Sequence, residues 1–148
     1  MRTLARDGFA VLPGFFSPQQ MTTLKRRAQE ITEAHREEIA RNTSVFSTKR
    51  QQREPTKDEY FMSSGAEVRF FMEEADATAV NKIGHCLHDR DPVFQRFCYA
   101  RALREVCDEI GFRDPRICQT MYIEKVRVDA GGVVLVCPTI QGVMSLLC

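Results

Sequence analysis

Residues 81–94, NKIGHCLHDRDPVF, place two histidines and two aspartates within positions 85–91. The stretch reads either as a metal site or as the approach to a helix, and the choice organises everything around it. On a helix, His85, His88 and Asp89 would share one face, because positions i, i+3 and i+4 are neighbours. Gly84 weakens a helix there. Asp91-Pro92 is a helix start, with aspartate as N-cap and proline in the first turn. No H-E-x-x-H spacing is present. The residues therefore predict a surface turn feeding a helix, with His85 or His88 partly packed, rather than a metal centre.

Downstream, the helix opened by Asp91 is expected to run to Gly111, a natural stop. Its apolar stripe passes through Phe94, Phe97, Leu103, Val106, Cys107 and Ile110. Residues 116–128, RICQTMYIEKVRV, are rich in strand formers and predict one strand. A Gly131-Gly132 turn, an apolar run and an apolar terminus follow.

Upstream, YFMSSGAEVRFFME (60–73) predicts two short strands around a Ser-Ser-Gly turn. Residues 41–59 are polar and aperiodic and read as a loop. Their basic cluster, Lys49, Arg50 and Arg53, lacks the interleaved aromatics of a nucleic-acid surface. Ser17, Pro18 and Gln20 have the pattern of a capping box. Met21, Leu24, Ala28, Ile31, His35 and Ile39 continue at helical spacing. His35-Arg36-Glu37 matches the H-x-acid spacing of iron oxygenases. That spacing needs an extended segment, and on this helix the two side chains diverge. GFAVLPGFF (8–16) predicts a short strand or an extended lead-in, Pro13 opposing a central strand.

The totals are those of one domain of a globular protein: 148 residues, 43% hydrophobic, 28% charged, net charge +1. Such a balance exerts no general pull toward nucleic acid or acidic membranes. No apolar run reaches the roughly 20 residues of a membrane span, and Arg6 and Asp7 interrupt any signal-like segment. The six cysteines form no C-x-x-C pair; they read as reduced thiols of a cytoplasmic protein. No nucleophile elbow, phosphate loop or dinucleotide glycine pattern is present.

Four blocks, DGFAVLPGFFSPQQ (7–20), YFMSSGAEVRFFME (60–73), NKIGHCLHDRDPVFQRF (81–97) and DPRICQTMYIEK (114–125), closely resemble, in this order and spacing, the N-terminal half of the phytanoyl-CoA dioxygenase family, of the domain-containing-protein type. The resemblance covers about residues 7–125. It implies an α+β fold: an N-terminal helical part and the first strands of a double-stranded β-helix of the cupin, jelly-roll kind. It also implies a hydroxylase using Fe(II), held by two histidines and a carboxylate, with 2-oxoglutarate and O₂. Lys82 and Met121 match family positions that line the 2-oxoglutarate pocket, whereas the GHCLH region is scaffold beside it. Without the resemblance, Lys82 reads as an exposed lysine and Met121 as a core methionine.

The family's histidine–x–aspartate motif follows its Gly-Gly loop, but here no histidine follows His88. Glu124 also stands where an apolar or aromatic residue is usual. The expectation is therefore a domain piece over 1–125 with a divergent tail over 126–148, an incomplete barrel and no metal ligand or catalytic residue of its own. Such a chain is expected to bind neither Fe(II) nor 2-oxoglutarate and to be inactive alone, as a truncated product. Two alternatives are an interaction module that self-associates or binds a protein through an open sheet edge, and an unrelated metal-binding domain built on His85 and His88. The substrate is not legible.

Overall fold

The computed structural model describes residues 2–7, 10–42, 45, 59–74, 76, 78–124, 132–139 and 142–147. The loop predicted over 41–59 falls almost wholly outside these residues, and its Lys49, Arg50 and Arg53 entirely so.

Helix α1 (Arg2–Asp7) precedes a turn through Pro13 and Gly14. Residues 10–16 form no strand, so the lead-in prevails over the strand. Helix α2 (Pro18–Ala34) starts where the capping box places it. The Gln20 N–H donates to Ser17 Oγ (3.2 Å), and the Ser17 N–H donates to Gln20 Oε1 (2.8 Å). Ser17→Ala should destabilise this end by about 1 kcal/mol; faster amide exchange over residues 18–24 is the readout, and unchanged exchange would contradict the cap.

The periodicity suggested one helix through Ile39. The helix instead breaks at His35 and resumes as α3 (Arg36–Arg41). The His35 ring, through Nδ1, bonds the Ile31 carbonyl (2.8 Å), a local contact that competes with helical continuation. His35 then rests on Phe70, with ring centroids 5.1 Å apart.

The first arm of the expected hairpin is a helical turn, α4 (Glu59–Ser63). Aromatic strand propensity at Tyr60 and Phe61 yields to local hydrogen bonds. Ser63 Oγ donates to the Tyr60 carbonyl (3.0 Å) and Ser64 Oγ to the Phe61 carbonyl, closing the turn. Tyr60 Oη also accepts the Phe70 N–H at 3.0 Å, tying α4 to the next strand.

Strands β1 (Arg69–Met72) and β2 (Val80–His85) pair antiparallel. Phe71 pairs with Lys82 but Met72 with Val80, so the β2 strand carries one extra residue, Asn81. This bulge lets Val80 and Met72 enter the core while Lys82 turns to the other face.

After β2 come helices α5 (Leu87–Arg90), α6 (Pro92–Cys98) and α7 (Arg101–Ile110). Asp91 caps α6, its Oδ1 accepting the Val93 N–H (2.9 Å) and the Phe94 N–H (3.1 Å). Its Oδ2 accepts from Arg27 Nε at 2.8 Å, joining α2 to α6. Asp91→Ala removes the cap and the tie to Arg27, which keeps Glu30 as a partner, an expected loss of about 1–2 kcal/mol; chemical denaturation reads it, and a loss within error of zero would contradict the double role.

The single helix expected over 92–110 is two helices, because its apolar stripe changes phase. Leu103 lies nine residues after Phe94, so on a continuous helix of 3.6 residues per turn it would face the opposite side. The break at Tyr99-Ala100 lets Phe94, Phe97, Leu103 and Cys107 all be buried. Gly111 ends α7 with φ 98°, a left-handed cap that favours glycine.

Strand β3 (Thr120–Ile123) is shorter than the strand expected over 116–128. Residues 116–119 are not strand, and 125–131 lie outside the described residues. Backbone pairing continues to β4 (Gly132–Thr139) and β5 (Gly142–Leu147), giving an antiparallel sheet in the order β1-β2-β3-β4-β5. Phe70, Met72, Ile83 and Tyr122 pack on Leu24, Ala28 and Ile31 of α2, Leu87 of α5, and Phe94 and Phe97 of α6. The fold is α+β, as the sequence led us to expect. Cys86, Cys98, Cys107 and Cys118 are free thiols. Among the described residues no helix is long and apolar enough to cross a membrane.

Candidate functional site

Helices α2, α5 and α6 pack on one face of β1–β3, and the chemistry gathers on the other, where α4 sets Phe61 against Phe71 and His85. Cross-strand partners project to the same face, and the register pairs Lys82 with Phe71 and Ile123, and Gly84 with Arg69 and Met121. Lys82 and Met121 are thereby brought together across β2 and β3. Gly84 is what allows this approach. A Cβ there would stand 3.3 Å from Met121 Cγ and 3.7 Å from the Thr120 carbonyl oxygen.

Lys82 is only 4% exposed, not the exposed lysine its residue type suggests. Its Nζ lies 5.2 Å from the centre of the Phe71 ring. Burial disfavours the ammonium and brings the Lys82 pKa down to about 8. Met121 is half-buried and stands outside the helix-side core, so the core reading of that residue is corrected.

The expectation of a surface turn at the histidines is also corrected: both are buried. His85 ends β2, with its ring between Phe61 and Phe71 at centroid distances of 5.6 and 5.4 Å. Its N–H donates to the Ser64 carbonyl (2.9 Å), and its Nδ1 lies 2.7 Å from Ser64 Oγ. The Ser64 hydroxyl has a single proton, which it gives to the Phe61 carbonyl, a group that can only accept. His85 Nδ1 must then carry its own proton, leaving a lone pair on Nε2. Burial, then the charge of Lys82, hold His85 neutral by lowering its pKa to about 4.

His88 belongs to the scaffold. Its Nδ1 and its backbone N–H both meet Thr120 Oγ1 at 3.0 Å, and the ring also bonds the Ile117 carbonyl. The opening stretch thus divides between a residue on the Lys82 face and a pin from α5 to β3. Local sequence carries no signal for the Ser64–His85 contact, which joins positions 21 residues apart.

The residues were tested against the groups that the fold suggests. A sheltered ammonium suits an anionic ligand such as a dicarboxylate. An iron ion finds no such fit: among the described residues no group of three His, Cys, Asp or Glu side chains is placed to hold a metal.

Comparison with known proteins identifies a family. Residues 4–135 match the family model described as phytanoyl-CoA dioxygenase. The chain is 33% identical over 140 residues to a phytanoyl-CoA dioxygenase domain-containing protein 1 homolog of Caenorhabditis elegans, covering 86% of this chain and 48% of that protein. It is 31% identical over 139 residues to a phytanoyl-CoA dioxygenase of Arabidopsis thaliana, covering 86% and 47%. It is 31% identical over 138 residues to the Mus musculus phytanoyl-CoA dioxygenase domain-containing protein 1, covering 84% and 47%. The chain spans about half the length of the curated relatives it matches.

Proposed function

The chain belongs to the phytanoyl-CoA dioxygenase family, and on that footing we propose that its Lys82 face is the 2-oxoglutarate-side wall of a non-haem Fe(II) dioxygenase barrel of the double-stranded β-helix kind. Lys82 pairs with a carboxylate of 2-oxoglutarate, and Met121 packs beside it. One observation carries this reading: a buried lysine and Met121 share the sheet face opposite α2, α5 and α6. An exposed pair would contribute at most about 1 kcal/mol. A sheltered, charge-assisted pair contributes about 1.5–3 kcal/mol per hydrogen bond, enough for dissociation constants on the order of 1 mM.

Iron together with 2-oxoglutarate supplies the oxidising power of such enzymes. Here no histidine follows His88, and His88 is held by Thr120. We propose that the chain binds 2-oxoglutarate but, alone, does not convert it. A second reading, association through the sheet edge, draws on the strand order, which places β1 and β5 at the edges.

The test is ligand-observed NMR of 2-oxoglutarate binding, with succinate release measured in the presence of Fe(II), ascorbate and O₂. Binding that Lys82→Met abolishes, with succinate at the protein-free blank, is expected. Binding indifferent to Lys82→Met, or succinate release that depends on the chain, would overturn the corresponding half of the proposal. Sizing chromatography of the same sample tests the second reading: a concentration-independent monomer would exclude it.

A further inference from the structure

We infer that His85 is a second ligand-contacting residue of the Lys82 face: when a dicarboxylate seats against Lys82, His85 Nε2 takes up a proton from solvent and donates a hydrogen bond to the ligand. The inference rests on the proposed function and adds a residue to it. Its ground is geometric. The ring is clamped between Phe61 and Phe71, and Ser64 fixes its Nδ1 side. Among the described residues no buried side-chain nitrogen or oxygen lacks a partner, while the hydrogen bond of this ring is to Ser64. Nε2 is therefore the ring position left to take up a proton. Phe71 is the shared neighbour of the ring and of Lys82 Nζ.

The groups around His85 explain why proton uptake would follow the ligand. From α4 and its turn come Phe61 and Ser64, both uncharged. From β3 comes Met121, packed over Gly84. From β1 come Phe71 and Arg69, the latter held by Ser63, Glu38 and Glu67. From β2 comes Lys82, whose charge helps keep the imidazole neutral. A dianion placed beside Lys82 cancels that charge, the second of the two causes that hold His85 unprotonated, and offers the protonated ring an acceptor. Binding of 2-oxoglutarate is then linked to proton uptake and strengthens on mild acidification.

The experiment is NMR of the full chain labelled with ¹³C and ¹⁵N at histidine, titrated in pH with and without saturating 2-oxoglutarate. Three histidines give three assignable signals. The free chain should show the Nδ1–H tautomer at His85. With ligand, the His85 midpoint should rise by about 2.5 pH units, and affinity should then increase about tenfold between pH 7 and pH 5.5. His85→Gln should flatten that increase; should this variant fail to fold, the midpoint in the unmodified chain decides. An unmoved His85 midpoint under Lys82-dependent binding would overturn the inference and leave the Lys82 reading standing. Absence of any Lys82-dependent binding would overturn both.

Discussion

Lys82→Met is expected to raise the unfolding free energy at pH 7 by about 3 kcal/mol. The lysine is 4% exposed, and its pKa falls from 10.5 to about 8 on folding. A lowered lysine pKa means that the fold opposes the charged form. The penalty is fully present below pH 8, fades as pH rises toward 10.5, and is absent above it. Methionine keeps the unbranched shape and removes the charge, so the variant should be the more stable chain at pH 7 and lose that advantage near pH 10. Urea denaturation at both pH values measures this. A destabilised variant at pH 7 would show that the ammonium is stabilised where it stands, and would remove the argument that this face is kept for an anion. The expected pattern is a binding residue retained at the expense of stability.

Acidification should expose the second large effect. His85 has a folded pKa of about 4 against 6.5 for the free side chain. The unfolded chain therefore binds a proton that the fold excludes. This contribution is complete above pH 6.5 and lost as pH falls through 4: about 2 kcal/mol gone by pH 5 and about 3 kcal/mol in all. The window from pH 6.5 to 5 is diagnostic, because the carboxylates titrate mostly below it. His85→Gln should flatten stability across that window. Lys82→Met should raise the His85 midpoint, since the Lys82 charge is one of its two depressing causes. The two substitutions are therefore expected to be non-additive. A wild-type profile that stays flat from pH 6.5 to 5 would contradict the buried, neutral imidazole.

What could be read from the chain alone divides by range. The caps at Ser17, Asp91 and Gly111 were legible because each is satisfied within a few residues. The division between α6 and α7 was legible in principle, since Leu103 is out of phase with Phe94 and Phe97. Strand propensity misled at Tyr60 and Phe61, where two serines bond backward and close a helical turn. Lys82 and Met121 were identified by family resemblance, and their shared face depends on the β2–β3 register. The burial of Lys82 depends on the Asn81 bulge, which reverses the inward and outward alternation of β2. The place of His85 was not legible, because Ser64, Phe61 and Phe71 reach it from other segments of the chain. The same distance hid the part Thr120 plays in pinning His88.

The central claim is that 2-oxoglutarate meets the sheet face opposite α2, α5 and α6, and methionine-methyl NMR tests it most directly. Met121 lies on that face, whereas Met72 belongs to the helix-side core and Met21 packs against it. Titration with 2-oxoglutarate should shift the Met121 methyl signal, leave those of Met72 and Met21 in place, and have no effect on Lys82→Met. Binding that leaves Met121 unmoved, or that shifts Met72 and Met21 as strongly, would contradict the account.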